Sequence, residues 1–144
     1  MDDVARKKLP LHLLLVGAIG LLWNAFGAYD YLMSELTPAS YLAQMGLGAD
    51  SLAYLRAMPA WLTAFWALGV WASLVGSVLL LARSRHAVTA FALSLLGLAV
   101  AQGYQWFVAP PPVLPPAGIE LVIWTALLLQ LGYALRQARK GLLR

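Results

Sequence analysis

Four long apolar runs dominate this chain. They cover about residues 9–31, 60–82, 87–107 and 117–135. A helix needs about 20 apolar residues to cross the hydrocarbon core of a bilayer, and a helix satisfies its own backbone hydrogen bonds there. The sequence therefore predicts an all-α membrane protein, a single domain over 1–144 built as a bundle of four transmembrane helices.

The composition supports this class and excludes others. Hydrophobic residues make up 62% of the 144 positions and charged residues only 11%, whereas a soluble domain needs about a quarter of its residues charged. A soluble globular or a disordered chain is therefore excluded. The absence of cysteine excludes thiol redox chemistry, disulfides, iron–sulfur ligation and cysteine-based zinc sites.

Two of the connections have their own character. In the long loop 34–59, Thr37-Pro38 is a helix-start signal, and Gly46 or Gly48 should end that helix. Asp50-Ser51 can cap a second short helix, and both helices are predicted to lie at the membrane interface between the first two spans. The connection 109–116 holds five prolines and predicts a stiff, non-helical hairpin.

The first span has one competing interpretation. Basic residues precede it, and Ala25-Phe26-Gly27 weakly resembles a signal-peptide cleavage site. Trp23 and Asn24 fit poorly just before a cleavage point, and the apolar run continues to Ala28. We therefore expect a retained span.

The cations predict the orientation. Nine of the ten fall on one side of a four-span topology, and only Arg56 falls on the other. Cytoplasmic loops of membrane proteins are enriched in Lys and Arg, so both termini are expected in the cytoplasm. This bias also explains the pI near 9.7 without a nucleic-acid partner. The nine are Arg6, Lys7, Lys8, Arg83, Arg85, Arg136, Arg139, Lys140 and Arg144.

The outer halves of the spans are aromatic and polar, whereas the inner halves are mainly aliphatic. Tyr31, Trp61 and Trp106 suit an aromatic belt at headgroup level. Trp23 and Trp66 lie deeper, where rings could instead line a cavity open to the outside.

Polar residues inside the spans define the candidate site. Asp30 and Glu120 are the only carboxylates at or inside span ends, where ionisable groups are costly and usually face a partner or water. Arg56 could pair with either. The alternative is interhelical hydrogen bonding that holds the bundle together. The predicted ligand-binding residues are Trp23, Asn24, Asp30, Trp66, Gln102, Gln105 and Glu120.

Helical spacing groups some of these residues. Trp23, Gly27 and Asp30 share a face of the first span, with Asn24 at its flank. In the third span, Ser94, Gln102 and Gln105 form one polar stripe. Rows of small residues let helices approach closely, and we expect them to pack within the chain. The rows are Gly17 and Gly20; Gly69, Ser73 and Ser77; and Ala90, Ser94, Gly97 and Ala101.

No catalytic, cofactor or metal motif is present in the sequence. His12 and His86 would lie near the cytoplasmic face, where bis-histidine haem ligation is conceivable but an interfacial role is the more common one. The histidines and Asp30 lie about a bilayer apart, which excludes a Ser–His–Asp triad. We expect no enzyme activity, cofactor or metal; an enzyme acting on lipid is the least favoured alternative.

Several short segments together resemble a group of small bacterial four-span proteins that often carry the label "sugar transporter". The resemblance extends to about residue 100 and is weakest in the proline-rich hairpin. It implies a bacterial inner-membrane protein and no particular substrate. The segments are Trp23-Asn24, Gly27, Tyr29-Asp30-Tyr31, Met58-Pro59-Ala60-Trp61, Phe65-Trp66, Gly69-Val70-Trp71, Gly76-Ser77, Leu79-Leu80-Leu81 and Arg83-Ser84-Arg85.

These observations predict a small-molecule binding or transport-related module with an outward-facing polar and aromatic cavity. Four spans without an obvious inverted repeat argue against a complete alternating-access transporter unless the chain forms a homodimer. The alternative is a non-catalytic accessory or assembly subunit of a larger membrane complex, with small-residue faces pointing outward to a partner.

Overall fold

A computed structural model describes residues 9–144 of the chain, and Arg6, Lys7 and Lys8 lie outside the described residues. The described part contains helices and no strand. The helices are α1 (Leu11–Leu36), α2 (Pro38–Gln44), α3 (Ala49–Arg56), α4 (Ala60–Leu81), α5 (His86–Phe107) and α6 (Ile119–Arg139).

Four of these helices, α1, α4, α5 and α6, are long and apolar enough to cross a membrane. The 22 residues of α4, for example, rise about 33 Å at 1.5 Å per residue, which covers a hydrocarbon core of about 30 Å. The predicted all-α fold with four spans is confirmed, and the chain is a polytopic membrane protein.

The first span is longer than its apolar run. It was expected to end near residue 31 but continues to Leu36, since nothing stops the helix before Pro38. Thr37 then separates α1 from α2, with Pro38 in the first turn of α2 as the sequence predicts. The Thr37 hydroxyl bonds back to the Met33 carbonyl and does not cap α2.

The two short helices follow the glycine signals. Gly46 takes a φ of +74° just after α2, where a left-handed residue ends a helix. We expected Asp50 to cap α3, but Gly48 is the N-cap and Asp50 lies in the first turn of the helix.

The four long helices form one bundle in which α1 packs on α4, α4 on α5, and α5 on α6. Hydrogen bonds return from α6 to α1: Gln130 accepts from Asn24 at 2.8 Å, and Tyr133 shares one with His12 at 2.6 Å. The beginning of α1, the turn between α4 and α5 and the end of α6 therefore meet at one end of the bundle. We call residues 9–13, 82–87 and 133–144 the basic end, and residues 29–62 and 102–124 the aromatic end.

Small residues set the closest approach in the bundle. A Cβ at Gly97 on α5 would overlap the backbone of Gly69 and the carbonyl oxygen of Phe65 on α4. The Ser94 hydroxyl donates to the carbonyl of Gly69 at the same crossing. The small-residue rows of α4 and α5 thus pack against each other within the chain, as expected.

An apolar core lies towards the basic end. It is a cluster of residues at most 7% exposed: Leu13, Leu80, Ala87, Phe91, Leu127, Ala134 and Leu143. Leu143 belongs to the segment after α6, which turns back at Gly141, where φ is +70°. The segment thereby closes the bundle at this end.

Candidate functional site

An open cleft of about 240 Å³ lies at the aromatic end, between α4, α5, α6 and the proline-rich hairpin. Its polar lining comes from α5 and α6, and most of its remaining wall is aliphatic. A second cavity of about 360 Å³ adjoins it and shares Gln105, Pro115 and Glu120. The cleft is lined by Met58, Leu62, Trp66, Leu98, Ala101, Gln102, Gln105, Pro115, Ile119, Glu120 and Ile123.

Two tryptophans hold two of the polar groups in place. The Trp124 indole donates to Oε1 of Gln102 at 3.2 Å, and the Trp106 indole donates to Oε2 of Glu120 at 3.2 Å. The two indoles stack, with centroids 6.2 Å apart and planes 22° from parallel. We call these four residues the tryptophan clamp; each of α5 and α6 supplies one donor and one acceptor.

The clamp leaves other polar atoms of the cleft without protein partners. Among the described residues, nothing hydrogen-bonds the side-chain amide of Gln105, the nitrogen of Gln102 or the second oxygen of Glu120. Gln102 is 8% exposed, and buried polar groups normally have partners. These atoms are therefore available to water or to a ligand in the cleft.

The structure brings four of the seven predicted ligand-binding residues together: Trp66, Gln102, Gln105 and Glu120 all line the cleft. Trp23, Asn24 and Asp30 lie elsewhere. Trp23 is 36% exposed on the outside of α1.

Asn24 belongs to a separate, buried polar cluster in the middle of the bundle. Its amide nitrogen lies 3.1 Å from the Ser73 carbonyl, 2.9 Å from the Ser77 hydroxyl and 2.8 Å from Oε1 of Gln130. Gly20 faces the same cluster, and a Cβ there would lie 3.4 Å from the Ser77 hydroxyl, an ordinary van der Waals contact. This is the interhelical hydrogen bonding that was the alternative to a cavity.

Asp30 bonds to the first short helix. The Tyr41 hydroxyl donates to it at 2.7 Å. Burial, together with this hydrogen bond to the Asp30 carboxylate and its negative charge, raises the pKa of Tyr41 to about 12. Neither Asp30 nor Glu120 forms an ion pair with Arg56 in the part of the chain that the structure describes, so neither of the two pairings open to Arg56 is found.

The remaining outer rings pack on one another. Tyr31 on α1 meets Trp66 on α4 edge to face at 5.0 Å, and Trp61 meets Tyr104 at 5.6 Å. Tyr54 on α3 donates to the Ala109 carbonyl at 2.7 Å, which ties the 34–59 loop to the hairpin. These contacts fix the walls around the cleft.

Sequence reasoning missed the tryptophan clamp, although its parts were visible. Gln102 and Trp106 are four residues apart on α5, and Glu120 and Trp124 are four apart on α6. This spacing places each pair on one helix face. What the spacing does not indicate is that each indole bonds across to the other helix.

Metal ligation finds no support at this site. Among residues 9–144, no three histidine or acidic side chains lie close enough together to hold a metal ion. His12 bonds to Tyr133 at the basic end.

The predicted polar stripe on α5 is divided. Its serine, Ser94, bonds to α4 away from the cleft.

Comparison of the chain with family models, with curated proteins and with solved structures found no match.

Proposed function

We propose that this chain is a multi-pass protein of the bacterial inner membrane that binds a small molecule in the cleft from the outer side, without catalysing a reaction. The observation that carries the proposal is the convergence of Trp66, Gln102, Gln105 and Glu120 on one open cleft. Largely apolar walls with a few convergent polar groups are typical of small-molecule sites.

The orientation rests on the positive-inside rule. Six of the seven described cations, all except Arg56, belong to the basic end or to the last turns of α6 that lead into it. We assign the basic end to the cytoplasm, which puts the cleft on the outer side. The resemblance to small bacterial four-span proteins is consistent with an inner membrane.

Binding is better supported than an accessory role. The accessory hypothesis predicts that small-residue faces point outward, whereas Gly69 and Gly97 pack inside the bundle. It also predicts that outer polar residues are satisfied internally, and the Gln105 amide has no partner among the described residues. Transport would require a second copy, because four spans give no obvious inverted repeat.

Cysteine labelling tests the cleft and its orientation together, since the chain has no cysteine of its own. We expect Gln105→Cys to react with a membrane-impermeant maleimide in cells whose outer membrane has been permeabilised. Lys140→Cys, exposed at the basic end, is the matched control and should react only after the inner membrane is opened. The reverse pattern would overturn the orientation, and a folded Gln105→Cys variant that does not react would overturn the open cleft.

Native mass spectrometry from mild detergent tests binding itself. We expect a small molecule to be retained by the wild-type chain and lost from a Trp66→Ala, Gln105→Ala double variant. Co-purification of the chain with a stoichiometric protein partner and no small molecule would instead favour the accessory role.

A further inference from the structure

The charges around the cleft restrict what it can bind. Among residues 9–144, Glu120 is the only ionisable residue that lines the cleft, and none of the described cations lines the adjoining cavity. Arg56 does not line either of them. An anionic ligand would therefore meet an unopposed carboxylate.

Glu120 itself has no charged partner in the described part of the chain. It is half-buried at the start of α6, and its one hydrogen bond among the described residues comes from a neutral indole. A carboxylate at the end of a span is costly unless it meets a cation, a proton or water. A cationic ligand would relieve this cost, and its binding would exclude water from the carboxylate.

The rest of the lining fits the body of such a ligand. Apart from Gln102, Gln105 and Glu120, every residue of the cleft wall is apolar. A sugar would leave most of its hydroxyl groups unpaired against these walls. Trp66, which Tyr31 holds edge to face at 5.0 Å, is the ring type that attracts cations most strongly.

The volume indicates a compact ligand. At about 240 Å³, the cleft lies just below the roughly 300–1,000 Å³ typical of sites for drug-sized molecules. One ammonium group on a single aromatic or branched aliphatic body is of this size class.

Resting on the proposed function of this same cleft, we propose that its ligand is a small organic cation with an apolar body, such as an aryl-alkyl ammonium. Glu120 and the Trp66 ring attract the ammonium group, and the aliphatic wall takes the apolar body. The Gln102 nitrogen and the Gln105 amide bond any neutral polar group beside it.

A matched set of probes tests this ligand class on the full chain in nanodiscs of zwitterionic lipid. Benzyltrimethylammonium is the cation, dimethylbenzylcarbinol is its neutral near-isostere, phenylacetate is the anion and glucose represents sugars. Binding is measured by tryptophan fluorescence and calorimetry. We expect the cation to bind saturably and the carbinol to bind with an affinity lower by about tenfold or more. Phenylacetate and glucose should not bind.

Glu120→Gln provides the decisive variant, because the amide oxygen can still accept from Trp106. We expect this variant to bind the cation with about tenfold lower affinity and to bind the carbinol with the same affinity as the wild type. Glu35→Gln is the control, since Glu35 is an exposed acid that does not line the cleft, and it should bind both probes like the wild type. Circular dichroism and size exclusion establish that each variant is folded.

The outcomes separate the two proposals. If the cation and the carbinol bind equally, in the wild type and in Glu120→Gln alike, the cationic class is overturned while the binding site stands. Saturable binding of glucose without the cation would likewise overturn the class. If no probe binds, and native mass spectrometry also finds no retained molecule, the proposed function fails as well.

Discussion

The two ends of the bundle are closed in different ways. At the basic end, backbone hydrogen bonds join the turn after α4 to the segment after α6. The Arg85 amide donates to the Arg144 carbonyl at 2.8 Å, and the Arg144 amide donates to the Arg83 carbonyl at 2.7 Å. Leu143, which directly precedes Arg144 in the chain, is 5% exposed. At the aromatic end, the closing contacts are mostly side-chain hydrogen bonds and ring packing, and a cleft remains open.

The turn at the basic end keeps a strained residue. Arg83 has a φ of +58° at the position after α4 where glycine is usual, and a non-glycine residue there costs about 1 kcal/mol or more. In return, the Arg83 guanidinium donates to the Leu142 carbonyl at 3.2 Å, a bond that glycine could not make. Side-chain identity therefore matters even where the backbone closes the bundle.

This difference indicates which end of the bundle is closed by packing and which end keeps an open cleft. The apolar core and the docked segment after α6 stabilise the basic end. Within the described residues, the aromatic end can then keep a carboxylate that has no ion-pair partner and an amide that has no hydrogen-bond partner in its cleft. Variants that act on one end, on both or on neither separate these roles.

The largest effect is expected where α4 and α5 cross, because both ends of the bundle depend on the packing of these two helices. In Gly97→Ala, the new Cβ would meet the backbone of Gly69 and Phe65, which cannot move aside as a side chain can. We expect a loss of about 3 kcal/mol in the free energy of unfolding, measured by denaturation in detergent, together with weaker closure of both ends.

Gly103→Ala is the matched control for this variant. It lies on the same helix, and nothing lies within 4 Å of where its Cβ would be. Its stability should equal or slightly exceed that of the wild type. Equal losses in the two variants would contradict the close approach of α4 and α5.

An effect confined to the basic end is expected from Leu143→Ala. Truncating this buried side chain should cost about 2 kcal/mol and expose the amides of Arg85 and Arg144 to hydrogen exchange. Leu142→Ala, at a half-buried neighbour, should cost clearly less. The maleimide reactivity of the Gln105→Cys variant should be the same with and without Leu143→Ala; if it changes, the two ends are not independent.

The buried polar cluster between the ends should couple two helices. Asn24 and Gln130 bond at 2.8 Å, and interhelical hydrogen bonds in membrane proteins contribute about 0.6 kcal/mol on average. A double-mutant cycle of Asn24→Ala and Gln130→Ala should give a coupling of about 0.6–1.7 kcal/mol. A coupling indistinguishable from zero would contradict a direct bond between α1 and α6.

Much of the fold follows from the sequence, because hydropathy and charge act over whole segments. The four spans, the helix start at Pro38 and the helix end at Gly46 are local signals, and the structure bears them out. The true end of α1 was not predictable from hydropathy, because lipid limits the length of the apolar run and not the length of the helix. Leu36 lies beyond that run and before the first residue that stops the helix.

The candidate site was predictable only in part. The spacing groups Asn24 with the residues of the outer half, but the packing of α4 and α6 places it beside Ser77 and Gln130. Spacing along one helix cannot show which neighbour a polar face meets. The cleft residues on α5 and α6 were predictable, because they flank the hairpin in the sequence and the hairpin brings the polar ends of these two helices together.

The contact between α1 and α2 should depend on pH. Because the pKa of Tyr41 is raised to about 12 in the folded protein, against about 10 for an unfolded tyrosine, its neutral form stabilises the fold. This contribution is fully present below pH 10 and is lost as the pH rises through about 12. The stability advantage of the wild type over Tyr41→Phe should therefore be constant at neutral pH and disappear across that window.

The titration can be observed directly through the ultraviolet absorbance of tyrosinate. The difference between the wild type and Tyr41→Phe should titrate with a midpoint near pH 12, because the hydroxyl is buried and donates to the Asp30 carboxylate. Asp30→Asn removes the negative charge and should lower that midpoint, whereas Glu35→Gln, an exposed acid on the same helix, should leave it in place. A midpoint near pH 10 in the wild type would mean that the α2 helix does not hold Tyr41 against Asp30, and that the aromatic end is more open than the structure indicates.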